Sequence, residues 1–154
     1  MEQVIKIHLK DKKDYQNSYN EDILSHKLRN YILDELKGID KEFKIIVTSD
    51  FEMTDLDKEK FNAMIRNDFG TDIRDIMVLS RRQRIANITI FLIGMIFLVL
   101  YSFLNVKLLS EFILILGWVF LGEAICNFLY NGIENNIKIK RRKKIVKAKI
   151  VFEQ

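Results

Sequence analysis

Ile85–Leu104 reads IANITIFLIGMIFLVLYSFL, twenty residues without a charged side chain. As a helix rising about 1.5 Å per residue, this stretch covers about 30 Å, the thickness of a bilayer's hydrocarbon core. Phe112–Tyr130 reads FILILGWVFLGEAICNFLY and carries one charge, Glu123. The link between them, NVKLLSE (105–111), is seven residues long. So short a connection makes the two segments antiparallel neighbours. A soluble buried hairpin is the poorer reading: two such segments need a core that an ~80-residue companion domain cannot supply. The segments are therefore expected to be transmembrane spans.

Charge sets the orientation. Arg81, Arg82 and Arg84 precede the first span, and Lys138, Lys140, Arg141, Arg142, Lys143 and Lys144 follow the second, whereas the link carries only Lys107. The positive-inside rule then places both termini in the cytoplasm and residues 105–111 outside. The nine flanking cations are expected to lie on anionic headgroups, at about 1 kcal/mol each near the surface. The whole-chain net charge of +4 hides an asymmetry. Residues 1–80 hold 13 Lys/Arg against 17 Asp/Glu, a net of −4, and residues 81–154 hold 12 against 4, a net of +8. Positive charge clustered beside apolar runs points to anionic lipid as a partner and argues against nucleic acid. Cys126 is the lone cysteine, which precludes an intramolecular disulfide. The charged N-terminal residues give no signal-peptide pattern.

The remainder reads as a small cytoplasmic α/β domain. Val4–Leu9 alternates Ile5, Ile7 and Leu9 with polar residues, a strand signal. Asn20 is the expected N-cap of a first helix, with Tyr19 and Leu24 as a hydrophobic staple, an inner stripe of Leu24, Leu28, Tyr31, Ile32 and Leu36, and Gly38 at the stop. Phe43–Thr48 is a second strand. Thr54 and Asp57 suit a capping box for a second helix, whose stripe is Leu56, Phe61, Met64, Ile65 and Phe69; Gly70 is a candidate interruption. Lys144–Phe152 returns to β-type residues and is expected to join the sheet, because a lone exposed strand invites aggregation. The fold class is thus a membrane α/β protein: a β-α-β-α(-β) domain with an inserted antiparallel transmembrane hairpin. The expected boundaries are 1–80 for the cytoplasmic domain, 81–137 for the hairpin and 138–154 for the basic segment with its C-terminal strand.

The second span resembles a known pattern. Leu109, Glu111, Ile115, Gly117-Trp118-Val119, Glu123, Leu129-Tyr130 and Arg141-Arg142 are similar to an uncharacterised family of small bacterial two-span integral membrane proteins. In that family Gly-Trp-Val sits within the second span, and Leu-Tyr and a basic cluster close it. This chain has Gly122 where the pattern carries a second tryptophan, and no proline after Leu-Tyr. The resemblance implies topology and no chemistry. The Lys-, Ile- and Asn-rich, proline-free composition agrees with an AT-rich bacterial source, so the expected location is the bacterial cytoplasmic membrane.

Within the spans, Glu123 draws attention. It lies about 18 Å along the helix from Glu111, past mid-membrane, where an ionisable group costs roughly 2.5 kcal/mol or more. It should therefore face protein or water, with Asn127 one turn away as a hydrogen-bond partner. Leu116, Val119, Phe120, Glu123, Cys126, Asn127 and Tyr130 share its face. Asn87, Gly94 and Tyr101 recur every seven residues on the first span as a matching face, and Gly117 and Trp118 are expected at a helix contact. The enzyme search is negative. His8 and His26 are far apart, no spacing suggests a metal site, and no nucleophile or phosphate-loop motif is present. The acidic run Asp50, Glu52, Asp55, Asp57 and Glu59 reads as a solvated helix start. No cofactor and no catalysis are expected. The function expected is a membrane-anchored interaction or scaffold module that self-associates or binds another membrane protein; the alternative is an oligomeric pore or proton path lined by Glu123.

Overall fold

The computed structural model describes residues 3–37 and 43–153. In chain order the elements are β1 (Gln3–Leu9), α1 (His26–Glu35), β2 (Phe43–Ser49), α2 (Asp55–Tyr101), α3 (Lys107–Lys147) and β3 (Lys149–Glu153). The chain divides into two compact units, Met1–Arg74 with Ile139–Gln154, and Asp75–Lys138.

The first unit is a three-stranded parallel sheet in the order β1-β2-β3. Ile5 pairs with Ile45 and Ile7 with Val47, and on the other side of β2 Ile45 pairs with Ile150 and Val47 with Phe152. Period-two alternation sends these residues to one face. There they meet Leu28 and Ile32 of α1 with Leu36 at its C-terminal cap, Phe61, Ile65 and Phe69 of α2, and Ile145 of α3 in a single core. Phe61 sits at the centre, with Tyr15 and Phe152 packed edge-on against it at 5.3 and 5.8 Å. The opposite residues of β1, including Lys6 and His8, are exposed.

Several local expectations are corrected. The first helix starts at His26, capped by Ser25, whose hydroxyl accepts the Leu28 N–H at 3.4 Å. Asn20 instead accepts the Asp22 N–H at 2.9 Å in a local turn, an arrangement that competes with helix formation, and Tyr19 is 99% exposed with nothing to staple. Leu56 is 75% exposed and outside the core. Gly38 lies outside the described residues. The Thr54–Asp57 box is present: Asp57 N–H donates to Thr54 Oγ1 at 3.2 Å and Thr54 N–H to Asp57 Oδ2 at 3.3 Å. Gly70 does not interrupt α2, which runs unbroken from Asp55 to Tyr101. Residues 144–147 finish α3, because helical geometry delivers Ile145 fully buried into the core, and the strand begins only at Lys149.

The second unit contains the C-terminal part of α2 and most of α3, joined by residues 102–106. Both helices are long and apolar enough to cross a membrane. Only 11% of the apolar window in α2 and 17% of that in α3 is buried. The core helix of a soluble protein hides such a window; here Ile85, Ile96, Phe112 and Ile115 face outward. Outward apolar side chains are stable where the solvent is itself hydrocarbon.

Candidate functional site

The hairpin has a narrow seam. A Cβ placed on Gly94 would lie 3.1 Å from the Gly117 carbonyl oxygen and 3.1 Å from the Leu121 nitrogen, and one on Gly117 would lie 2.8 Å from Leu98 Cδ2. Both positions are therefore tight, Gly94 against backbone atoms of α3 and Gly117 against the end of the Leu98 side chain, and small residues there let the two helix backbones approach closely. Leu121 and Ala124 extend the seam on α3, both buried, and Phe97 stacks on Phe120 at 5.6 Å. At one end Asn135 Nδ2 donates to Gln83 Oε1 at 2.9 Å. Asn87 and Ser110 are also buried.

Of the residues expected to pack, Asn87, Gly94 and Gly117 lie in this seam. Tyr101 is 40% exposed and does not. Trp118 is 65% exposed, a quarter-turn off the seam, so the helix contact expected for it is not with the first span. The seam-facing stripe of α3 is Gly117, Leu121 and Ala124, not the Glu123 face. Gly117-x₃-Leu121-x₂-Ala124 is a helical repeat of small and aliphatic residues that could have been read from the sequence. The only charge in the span draws attention to the wrong side.

Glu123 is exposed, about 130° around α3 from the seam. Its carboxylate accepts a hydrogen bond from Asn127 Nδ2 at 3.0 Å. The pairing with Asn127 matches expectation, and the first span contributes nothing to it among the described residues. Cys126 is exposed nearby. This face thus displays a carboxylate and a carboxamide bonded to each other, with Val119 and Tyr130 exposed beside them.

The flanking cations separate into two groups. Arg81, Arg82, Arg84, Lys138, Lys140 and Lys143 are exposed, and Arg141 and Lys144 are half-buried; Lys138 also reaches Glu134 at 2.7 Å. Arg142 is different. Its Nε donates to Asp72 Oδ2 at 2.8 Å, and both side chains are 16% exposed. Arg29 of α1 donates to the other Asp72 oxygen and lies 3.5 Å from Asp68. Arg142 is therefore withdrawn from the headgroup set, because a carboxylate claims its guanidinium. Three helices meet at this clamp. Burial alone would raise the Asp72 carboxyl, but the bonds from Arg142 and Arg29 outweigh it and hold it below the usual range. Burial pushes Asp68 up, and the Arg29 charge only partly offsets this. The pairing joins positions 29, 72 and 142, and no local spacing announces it.

Elsewhere His8 lies 3.2 Å from Asp50 on the exposed sheet face. Lys12 Nζ donates to Asp57 Oδ1 at 2.9 Å, which holds the Asp57 carboxyl below its ordinary value. Among the described residues no group of three or more His, Cys, Asp or Glu side chains is placed to hold a metal ion. Comparison with protein families, with curated proteins and with solved structures finds no match to this chain.

Proposed function

We propose that the protein is a membrane-anchored, self-associating scaffold of a bacterial cytoplasmic membrane, with both termini and the α/β unit on the cytoplasmic side. One observation carries this reading: Glu123 and Asn127 are displayed on the outer face of the hairpin, away from its own seam. Facing lipid, an ionisable group at this depth costs about 2.5–3.5 kcal/mol on insertion scales. A second copy laid against the same face removes that exposure and offers further hydrogen-bond partners. Asn127 and the Glu123 carboxyl are both able to bond across such an interface. The flanking Arg81, Arg82 and Arg84 and the resemblance of residues 109–142 to two-span bacterial proteins support the orientation.

Cys126 is a native reporter on this face. Oxidative crosslinking in native membranes is expected to give a disulfide dimer. Moving the thiol across the helix, in a Cys126→Ser/Ile125→Cys variant, is expected to abolish it. Equal crosslinking from both positions means random collision and sinks the proposal. Arranged in a ring, the same face would line a polar path. Liposome conductance that disappears in Glu123→Gln while crosslinking persists would select that pore reading.

A further inference from the structure

We propose that the hairpin carries a built site for one molecule of an anionic phospholipid. A groove with two chemically distinct halves runs along it. The polar half, about 190 Å³, is lined by Ser80, Gln83, Arg84, Asn131 and Asn136, with Gly132 at its wall. The apolar half, about 300 Å³, is lined by Ile88, Phe91, Ala124, Ile125 and Leu129. Asn87 and Phe128 line both halves, so the two are continuous.

The sequence of chemistries along the groove is that of a phospholipid. The polar half lies at the level of residues 80–84 and 131–136, where the apolar runs begin and end and where headgroups sit in a bilayer. Arg84 offers the planar donor fork that suits a phosphate, and the carboxamides of Asn131 and Asn136 supply neutral donors beside it. A single arginine in the lining matches a headgroup of one net negative charge. The apolar half then runs about 12 Å toward mid-membrane, from the level of residue 132 to that of 124, with only hydrocarbon side chains to meet an acyl chain.

Asn87 is the second, independent sign. It is 8% exposed, and its carboxamide makes no hydrogen bond to the protein among the described residues. Its amide atoms are not among the fully buried ones that lack a hydrogen bond, which among the described residues are Tyr15 Oη and Asp68 Oδ2. They are reachable from the groove, and beside hydrocarbon an amide without a partner is costly. It sits at the junction of the two halves, the depth at which a glycerol ester carbonyl lies, and that carbonyl can accept its N–H. This differs from the diffuse attraction of the basic flanks to a charged surface, which fixes no register and is lost to salt.

The inference rests on the reading of both helices as membrane-embedded, and it is independent of self-association. Resistance of the full-length protein to alkaline extraction from membranes tests that premise by itself. The site is tested by native mass spectrometry of the full chain released from detergent micelles doped with dioleoyl phosphatidylglycerol. One lipid per chain is expected to survive, in preference to phosphatidylcholine. Arg84→Gln is expected to lower its retention about tenfold, the loss of one charge-assisted hydrogen bond. Arg81→Gln removes the same charge outside the groove and should leave retention unchanged. Gly132→Leu provides a second route: a Cβ there meets nothing within 4 Å, so the variant can fold while its side chain fills the polar half. It is expected to keep its melting temperature and lose the lipid. Equal losses in Arg84→Gln and Arg81→Gln, or full retention in Gly132→Leu, overturn the proposal. So does displacement by sn-glycerol 3-phosphate, which would mean that the polar half binds phosphate without a chain.

Discussion

Asp72→Asn is the most informative single change in the α/β unit. The substitution keeps the shape of the side chain and one acceptor oxygen, but it withdraws the charge that two arginines share. Arg142 donates to Asp72 at 2.8 Å with 16% of its side chain exposed, and Arg29, 26% exposed, is left with Asp68 at 3.5 Å. Removing one partner of a fully buried pair costs about 3–5 kcal/mol. A hydrogen bond to a charged group contributes about 1.5–3 kcal/mol. The residual exposure of all three side chains lets water solvate part of the orphaned charge, so about 2–3 kcal/mol is expected. Because the clamp ties α1, α2 and α3 around the sheet, the loss should appear in the strands and not only locally. The assay is hydrogen–deuterium exchange of the β2 amides in the full-length protein in nanodiscs. Protection of Ile45 and Val47 should fall by about 30- to 150-fold at 1.4 kcal/mol per decade. The cycle with Arg142→Gln should show coupling of about 1–3 kcal/mol. A change below about 0.5 kcal/mol would mean that the clamp is an ordinary surface pair, and the assignment of Arg142 to the core of the unit would fail.

The pH dependence follows from the same groups. Asp72, Asp57 and Asp14 all lie below their ordinary value in the folded protein, so each contributes stability above its unfolded pKa of about 3.9 and loses it as pH falls through the lower folded value. Asp68 is raised and works oppositely, gaining stability on acidification from its folded pKa down to the unfolded one. Acid titration of strand protection should therefore hold or rise slightly first and collapse below about pH 4. Asp68→Asn should remove the early rise and Asp72→Asn should shallow the late fall; unchanged curves in both would contradict the assignment. Gly94→Ala should destabilise the hairpin by about 1–3 kcal/mol, since backbone atoms of α3 block the new methyl. Gly122→Ala, with open space around its Cβ, should not, and equal melting temperatures in one detergent would refute the seam. Gly70→Ala should stabilise α2 by about 0.5–1 kcal/mol, because its Cβ also meets nothing and the glycine only adds unfolded-state entropy; a lower melting temperature would contradict an uninterrupted helix at that point.

Much of the fold was legible one residue at a time. The two apolar runs, the strands at 4–9 and 43–48 and the Thr54–Asp57 box are signals carried by neighbours in sequence. Hydrophobicity, alternation and capping act over a few residues and need no partner from elsewhere. Errors arose where two local signals competed. Asn20 and Ser25 both suit an N-cap, and the turn that Asn20 closes onto Asp22 decided between them. Lys144–Lys147 suits a strand by composition, yet the helix carries Ile145 into the core.

By itself, then, the amino-acid order determined that two long oily segments must leave water and that basic residues flank them on one side. Transfer free energy and charge are additive properties of a stretch of chain, so no fold is needed to know them. Only the tertiary structure decided which faces of the helices meet. It turned Gly94 and Gly117 toward each other, sent Glu123 and Asn127 outward, and tied Arg142 to Asp72. Helix rotation is set by close packing at a few contacts, and an ion pair joining positions 29, 72 and 142 exists only once three helices have converged.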